Sequence, residues 1–218
     1  MTNPVIENVR RSLAQAAQSP YGSRVPLGMR PAIYPARQPE STPAELEQFL
    51  GEIKKLSGTT LRLNGHAHTL EAALAAFVKE ENIRKATVWD DPLLKQLGTA
   101  ELLRELGVEL VSPNADKHEM ALCDLGITTA DYLLPETGTL VLRSSFEKPR
   151  GVSLLPRIHL AIVQPAMLRA DLHQVFAEAK NSHYFVFITG PSRTADIELT
   201  VTLGVHGPKN LAVWMLEE

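Results

Sequence analysis

The chain has 218 residues, 44% hydrophobic, 22% charged and 6% aromatic, enough for one large or two small domains at ~150 residues each and for a buried core. With 22 basic against 25 acidic residues its net charge is −3, which argues against broad nucleic-acid binding, since that calls for a basic domain or stripe. Its one cysteine, Cys123, excludes an intrachain disulfide and any Cys-rich metal or iron–sulfur centre built by this chain alone.

Met1-Thr2-Asn3-Pro4 lacks the basic and apolar regions of a signal peptide. No apolar run approaches the ~20 residues of a spanning helix. A soluble, cytoplasmic setting is the expectation. Residues 4–17 carry Val5, Val9, Leu13 and Ala16 on one helical stripe. Six of the fifteen prolines then fall between Pro20 and Pro43, a density that blocks both helix and central strand. This is an extended arm, read either as a tether or as a segment that packs on a partner.

Thr42 and Glu45 form a capping-box pattern with Pro43 in the first turn. Leu46, Phe49, Leu50, Ile53 and Leu56 follow at helical spacing until Gly58. A strand at 60–63, a helix at 69–81 and a strand at 86–89 come next. Asp91-Pro92 opens a helix running to 107, followed by a strand at 108–111. Asp116 and Glu119 box a helix ending near Gly126. Strands are expected at 131–134, 139–143, 158–163, 184–189 and 211–216, with a helix at 168–179. Alternating strands and helices of ~10–15 residues predict a parallel α/β sheet. The organisation read from this is an N-terminal helix and proline-rich arm at 1–41 and one α/β domain at 42–218.

Open α/β sheets place ligands at strand carboxyl ends, and three segments carry suitable residues. In Glu136-Thr137-Gly138-Thr139, the Glu136 carboxylate can serve as base or nucleophile; a polar turn explains the same residues. In residues 189–198, Ser192, Arg193, Thr194 and Asp196 follow an apolar strand. Amides of a helix start there, with the Arg193 fork, would attract an anion; simple helix capping is the alternative. In Gly204-Val205-His206-Gly207-Pro208, His206 is an acid, base or donor beside Gly207, or an incidental turn histidine. His66 and His68 lack a third ligand of obvious spacing. His159 opens an apolar strand and either reaches a site or is a satisfied core histidine. Cys123 reads as core. Nucleotide, zinc-protease and serine-hydrolase motifs are missing.

The segments 126–132, 136–142 (from Glu136-Thr137-Gly138-Thr139), Leu154-Leu155-Pro156-Arg157-Ile158-His159, 189–198 and Leu203-Gly204-Val205-His206-Gly207-Pro208 together resemble the lactate-utilisation protein C family, whose members consist largely of a LUD domain. The likeness runs from about Thr60 to the C-terminus. It implies a Rossmann-like three-layer α/β/α sandwich of the NagB/RpiA/CoA-transferase type, with the N-terminal helix and arm as an extension. It also implies a cluster-free component of a bacterial system that oxidises L-lactate to pyruvate. Iron–sulfur clusters would sit in partner proteins, and no cofactor or metal in this chain; a small carboxylate or other anion is the implied ligand. A stand-alone transferase or isomerase acting on a small anion, and a non-catalytic scaffold, are the competing functions. Two departures stand out. Pro135 replaces a small residue before the Glu-Thr-Gly-Thr segment. Residues 144–150 are also less glycine-rich than the family's loop, leaving Lys148 and Arg150 to supply positive charge.

Overall fold

The segments read as strands come together in a computed structural model of the chain, which describes residues 41–64, 67–179, 184–195, 201–203 and 207–217 together with Glu7, Arg11 and Arg37. The chain divides into two units, Met1–Pro35 and Ala36–Glu218. Of the first, only Glu7 and Arg11 are described, each exposed in helical backbone. The expected N-terminal helix and most of the arm therefore lie outside the described residues.

The second unit is built on a six-stranded sheet formed by β1 (Thr59–Asn64), β2 (Lys85–Val88), β3 (Glu109–Val111), β4 (Leu125–Thr128), β7 (Ile158–Val163) and β11 (Asn210–Glu217). Its spatial order is β1-β11-β7-β4-β2-β3, and every pairing is parallel. The first strand thus pairs with the last, and β4 and β7 hold the centre. All six residues of β7 are buried, as are all four of β4, as a parallel sheet covered on both faces requires. Helices α1 (Thr42–Lys55), α2 (Ala67–Glu80), α3 (Pro92–Gln96), α4 (Thr99–Glu105), α5 (Lys117–Ala121) and α6 (Gly151–Leu154) flank it. Among the described residues, no helix is long and apolar enough to cross a membrane.

A second sheet, β5 (Tyr132–Leu134), β6 (Thr139–Arg143) and β8 (Phe185–Ile188), is antiparallel with β6 in the middle. Its side chains alternate between two cores. Leu133, Leu140 and Leu142 join the main core, whereas Tyr132, Leu134 and Val141 pack with Val175 and Ala179 at helix α7 (Leu172–Glu178). The two-residue period of a strand lets this small sheet be buried on both faces.

Several boundaries depart from expectation. The N-cap of α1 is Ser41, and Glu45 turns inward to meet Arg37 at 2.5 Å. Arg37 also donates to the Ala170 carbonyl at 3.0 Å, and its backbone N–H donates to Asp171 at 2.6 Å, contacts that lie within the second unit. The α1 helix ends at Lys55, with Ser57 in the left-handed region. The helix expected over 91–107 is two, α3 and α4, parted at residues 97–98. The helix expected over 168–179 is shorter, with a 3-10 turn at Pro165–Met167 before it.

The largest correction is β4, which falls where a helix was expected to run out. Gly126 reads in sequence as a breaker. In the sheet it is a contact: a Cβ at this position would lie 1.9 Å from the Val152 carbonyl oxygen of α6. Only glycine lets α6 rest on the strand. The backbone cannot yield on both sides at once, so Gly126→Ala is expected to lower stability by about 3 kcal/mol. Urea unfolding monitored by tryptophan fluorescence measures this, and a loss under about 0.5 kcal/mol would rule out the tight contact.

Candidate functional site

Two adjoining cavities flank α6. The larger, about 840 Å³, opens beyond the carboxyl end of β3 and is lined by Asn114, Lys117, Ser144, Ser145, Arg150 and Tyr184 over an apolar floor that includes Met120 and Leu154. Arg150 donates from Nη1 to the Tyr184 hydroxyl at 2.5 Å, and its guanidinium sits 5.1 Å from that ring's centre. Stacking and hydrogen bond fix the fork while leaving most of its donors for an anion. Lys117 is exposed and makes no ion pair among the described residues.

The loop 144–150 that carries Arg150 is pinned at the strand ends. Asp91, buried beyond β2, accepts from Lys148 at 2.6 Å, from Thr129 at 3.0 Å and from the Leu93 N–H at 2.8 Å. Burial opposes its charge, but the Lys148 ammonium and these donors outweigh burial and hold the carboxyl below its ordinary range. The Lys148 ammonium also lies 5.6 Å from the Trp89 ring centre, and Trp89 Nε1 donates to the Pro149 carbonyl at 2.9 Å. Removing one partner strands the other in the protein.

The smaller cavity, about 160 Å³, lies between α6, β8 and the amino ends of β7 and β11, and includes His159, Thr189, Ser192 and Gly207. His159 is fully buried, and its Nε2 lies 2.8 Å from Thr128 Oγ1. Burial alone pushes the imidazole down to about 3, so it is neutral at physiological pH. A chain of hydroxyls reaches the cavity from the β5–β6 turn: Thr137 to Thr139 at 2.7 Å and Thr139 to Thr189 at 2.8 Å.

The residues picked out in the sequence are therefore distributed. Arg150 lines the larger cavity, Ser192 and Gly207 line the smaller, and Thr137 and Thr139 connect to it through Thr189. Gly138 sits at the turn with φ 61°, where a Cβ would approach Glu52 Cβ and the Ile53 nitrogen to 2.9 Å; it seats the hairpin on α1. Glu136 is exposed at the turn and lines neither cavity. Arg193 and Thr194 belong to β9 (Arg193–Ala195), which pairs antiparallel with β10 (Val201–Leu203). The helix start expected there is thus a strand, and the anion reading based on helix amides is withdrawn. Asp196, His206 and His66 lie outside the described residues, as does the His68 side chain. Cys123 is buried as expected, and burial pushes its thiol up to about 11.

Sequence reasoning passes over Lys117 and Tyr184, includes Thr189 only as the start of the segment 189–198, and leaves His159 undecided. The usable signal for His159 was its position as the one polar residue within Ile158–Val163.

Two expectations follow. Lys148→Met strands Asp91 and frees the loop, lowering stability by about 3 kcal/mol in urea unfolding; a change within about 0.5 kcal/mol would mean the pair is incidental. The second concerns acid. Unfolded, His159 takes up a proton near its ordinary 6.5, whereas folded it does so only near 3. The unfolded state therefore binds more protons between these values. His159 withdraws stability as pH falls below about 6.5, by up to about 1.4 kcal/mol per pH unit. Unfolding at a series of pH values should show that increment in the native chain and lose it in His159→Phe; parallel slopes would exclude it.

The LUD domain sequence model matches residues 46–216. The chain is 36% identical to lactate utilization protein C of Halalkalibacterium halodurans, over 68% of this chain and 70% of that one. It is 35% identical to lactate utilization protein C of Shouchella clausii, over 64% and 65% respectively, so the match spans about two thirds of these relatives' length. An Escherichia coli relative, the uncharacterized protein YkgG, is 32% identical over 73% of this chain and 74% of its own. In three dimensions the chain is similar to a DUF162 family protein from Deinococcus radiodurans, with a TM-score of 0.59 at 18% identity, covering 82% of this chain and all of that one. That likeness concerns the fold; the domain match, over most of the chain, establishes that it belongs to the LUD domain family.

Proposed function

We propose that this chain is the cluster-free component of an L-lactate utilisation system and that it holds a small carboxylate in the larger cavity, beside Arg150 and Lys117. Relatives that carry the name lactate utilization protein C support the pathway. The observation that carries the binding is electrostatic: the cavity's described lining residues include two cations and no carboxylate, on a chain whose net charge is −3. An anion enters such a cleft without repulsion, and the Arg150 fork matches a carboxylate in shape as well as charge.

In this reading electrons pass through iron–sulfur partner proteins. The lone Cys123 supports that division, because a buried thiol pushed up to about 11 is protonated at neutral pH and is a poor cluster ligand. The transferase or isomerase alternative needs Glu136 to meet the bound anion, and Glu136 lies at an exposed turn outside both cavities. The carboxylate reading is accordingly preferred.

Titration calorimetry with L-lactate and pyruvate tests the site. Arg150→Gln should weaken the tighter of the two by about tenfold or more, the worth of a charge-assisted hydrogen bond, and Lys117→Gln by less. Equal affinity in native chain and Arg150→Gln would remove the cleft from consideration. Lactate-dependent electron transfer in a reconstituted complex, with and without this chain, tests its place in the system; unchanged transfer without it would overturn the role.

A further inference from the structure

Register places His159 beside Gly126 on β4 and Leu211 on β11, deep in the sheet, and fixes one of its ring nitrogens. Nε2 meets Thr128 Oγ1 at 2.8 Å. That is the hydrogen bond Thr128 makes through its side chain among the described residues. We assign the threonine O–H as the donor to Nε2, because the reverse direction would leave both the Thr128 O–H and Nδ1 without partners among the described residues. The ring proton then resides on Nδ1, making Nδ1–H a donor. No group among the described residues accepts from it.

The ring forms part of the 160 Å³ cavity, whose other walls are mainly apolar: Leu154, Val186, Ile188 and Leu211. None of its described lining side chains is charged. Two of the other hydroxyls are engaged elsewhere, Ser153 donating to the Arg150 carbonyl at 3.0 Å and Thr189 bonded to Thr139, and the Ser192 hydroxyl is a further neutral group of the lining. At ~30 Å³ per water the volume suits a molecule of about four to six heavy atoms. A buried donor gains by meeting an acceptor, whereas a charge here would find no counter-charge. The fitting occupant is uncharged and small, with one acceptor oxygen on an alkyl skeleton.

We propose that this cavity is a binding site for a short uncharged carbonyl compound (a ketone, aldehyde or ester) whose oxygen accepts from His159 Nδ1–H. Its alkyl part packs against the Val186, Ile188 and Leu211 walls. The site is distinct from the carboxylate cleft: the two cavities share only Leu154 among their described lining residues. Electrostatics also separates the ligands, since the cleft offers cations and the smaller cavity, among its described lining side chains, only neutral groups.

The test uses the full chain labelled with ¹⁵N-histidine and 2-butanone as probe. Nuclear magnetic resonance should show His159 as the neutral Nδ1–H tautomer, with a nitrogen shift that moves and saturates on adding 2-butanone. A hydrocarbon of matching size, 2-methylbutane, should bind at least about tenfold more weakly, as the lost hydrogen bond requires. His159→Phe should lower 2-butanone affinity by a similar factor in calorimetry, and Arg150→Gln should leave it unchanged. The native-chain measurement stands even where His159→Phe fails to fold. An Nε2–H tautomer, no saturable response in the native chain, an equal response to the hydrocarbon, or a response abolished by Arg150→Gln would each overturn the proposal. Failure of lactate binding to depend on Arg150 would leave it intact, so the two readings fail separately.

Discussion

The approach of the Val152 carbonyl to Gly126 is the contact on which both cavities depend. It lets the short helix Gly151–Leu154 lie directly on the central strand Leu125–Thr128 with no side chain between them. Arg150 stands at the head of that helix and faces the larger cavity; Ser153 and Leu154, one turn on, wall the smaller. The chain then re-enters the sheet, and Gly126 registers with His159 on the next strand. One backbone contact thus fixes the cation of one cavity and the imidazole of the other. Methyl-sized bulk at this point would move both.

Polarity separates what that contact joins. The larger cavity is open and carries two cations, Arg150 and Lys117, among its described lining residues. The smaller lies against the sheet, where desolvation keeps His159 uncharged. A histidine in that setting is a directional hydrogen-bonding group and no longer a charge switch near neutral pH. The threonine chain from the β5–β6 turn meets the same cavity at Thr189, so its rim is tied to both the hairpin and the end of β8. These are neutral hydrogen bonds, which position groups without adding a field.

Much of the scaffold was legible because periodicity and burial agree there. Residues 139–143 and 158–163 are strands within the residues expected, since their continuous apolar runs have one use in a covered sheet. The errors fall where a local signal meets a tertiary contact. Gly126 looks like a stop because its reason for being glycine is a helix some 25 residues later in the chain. The stretch from Arg193 was read as a helix start through its capping residues, although Ala195, Ile197, Leu199, Val201 and Leu203 alternate with polar residues at the period of a strand. The candidate sites were legible in part. Arg150, Ser192 and Gly207 line cavities, yet no sequence pattern pairs His159 with Thr128 across 31 positions or sets Tyr184 against Arg150.

The loop 144–150 shows how position decides what a charge does. From sequence, Lys148 and Arg150 look equivalent, two cations two residues apart in one loop. In the fold they separate. Lys148 is turned into the protein, its ammonium held by Asp91 and set against the Trp89 ring, so its charge is neutralised where it lies. Arg150, two residues on, lines the cavity, and its guanidinium donates only to the neutral phenol of Tyr184 among the described residues. The first cation secures the loop and the second keeps its charge available for a ligand. A glycine-rich loop would present backbone amides from a flexible chain; this loop presents one side-chain fork from a chain fastened by a buried ion pair. The placement of that fork therefore rests on Asp91, which is not among the cavity's described lining residues, as much as on Tyr184.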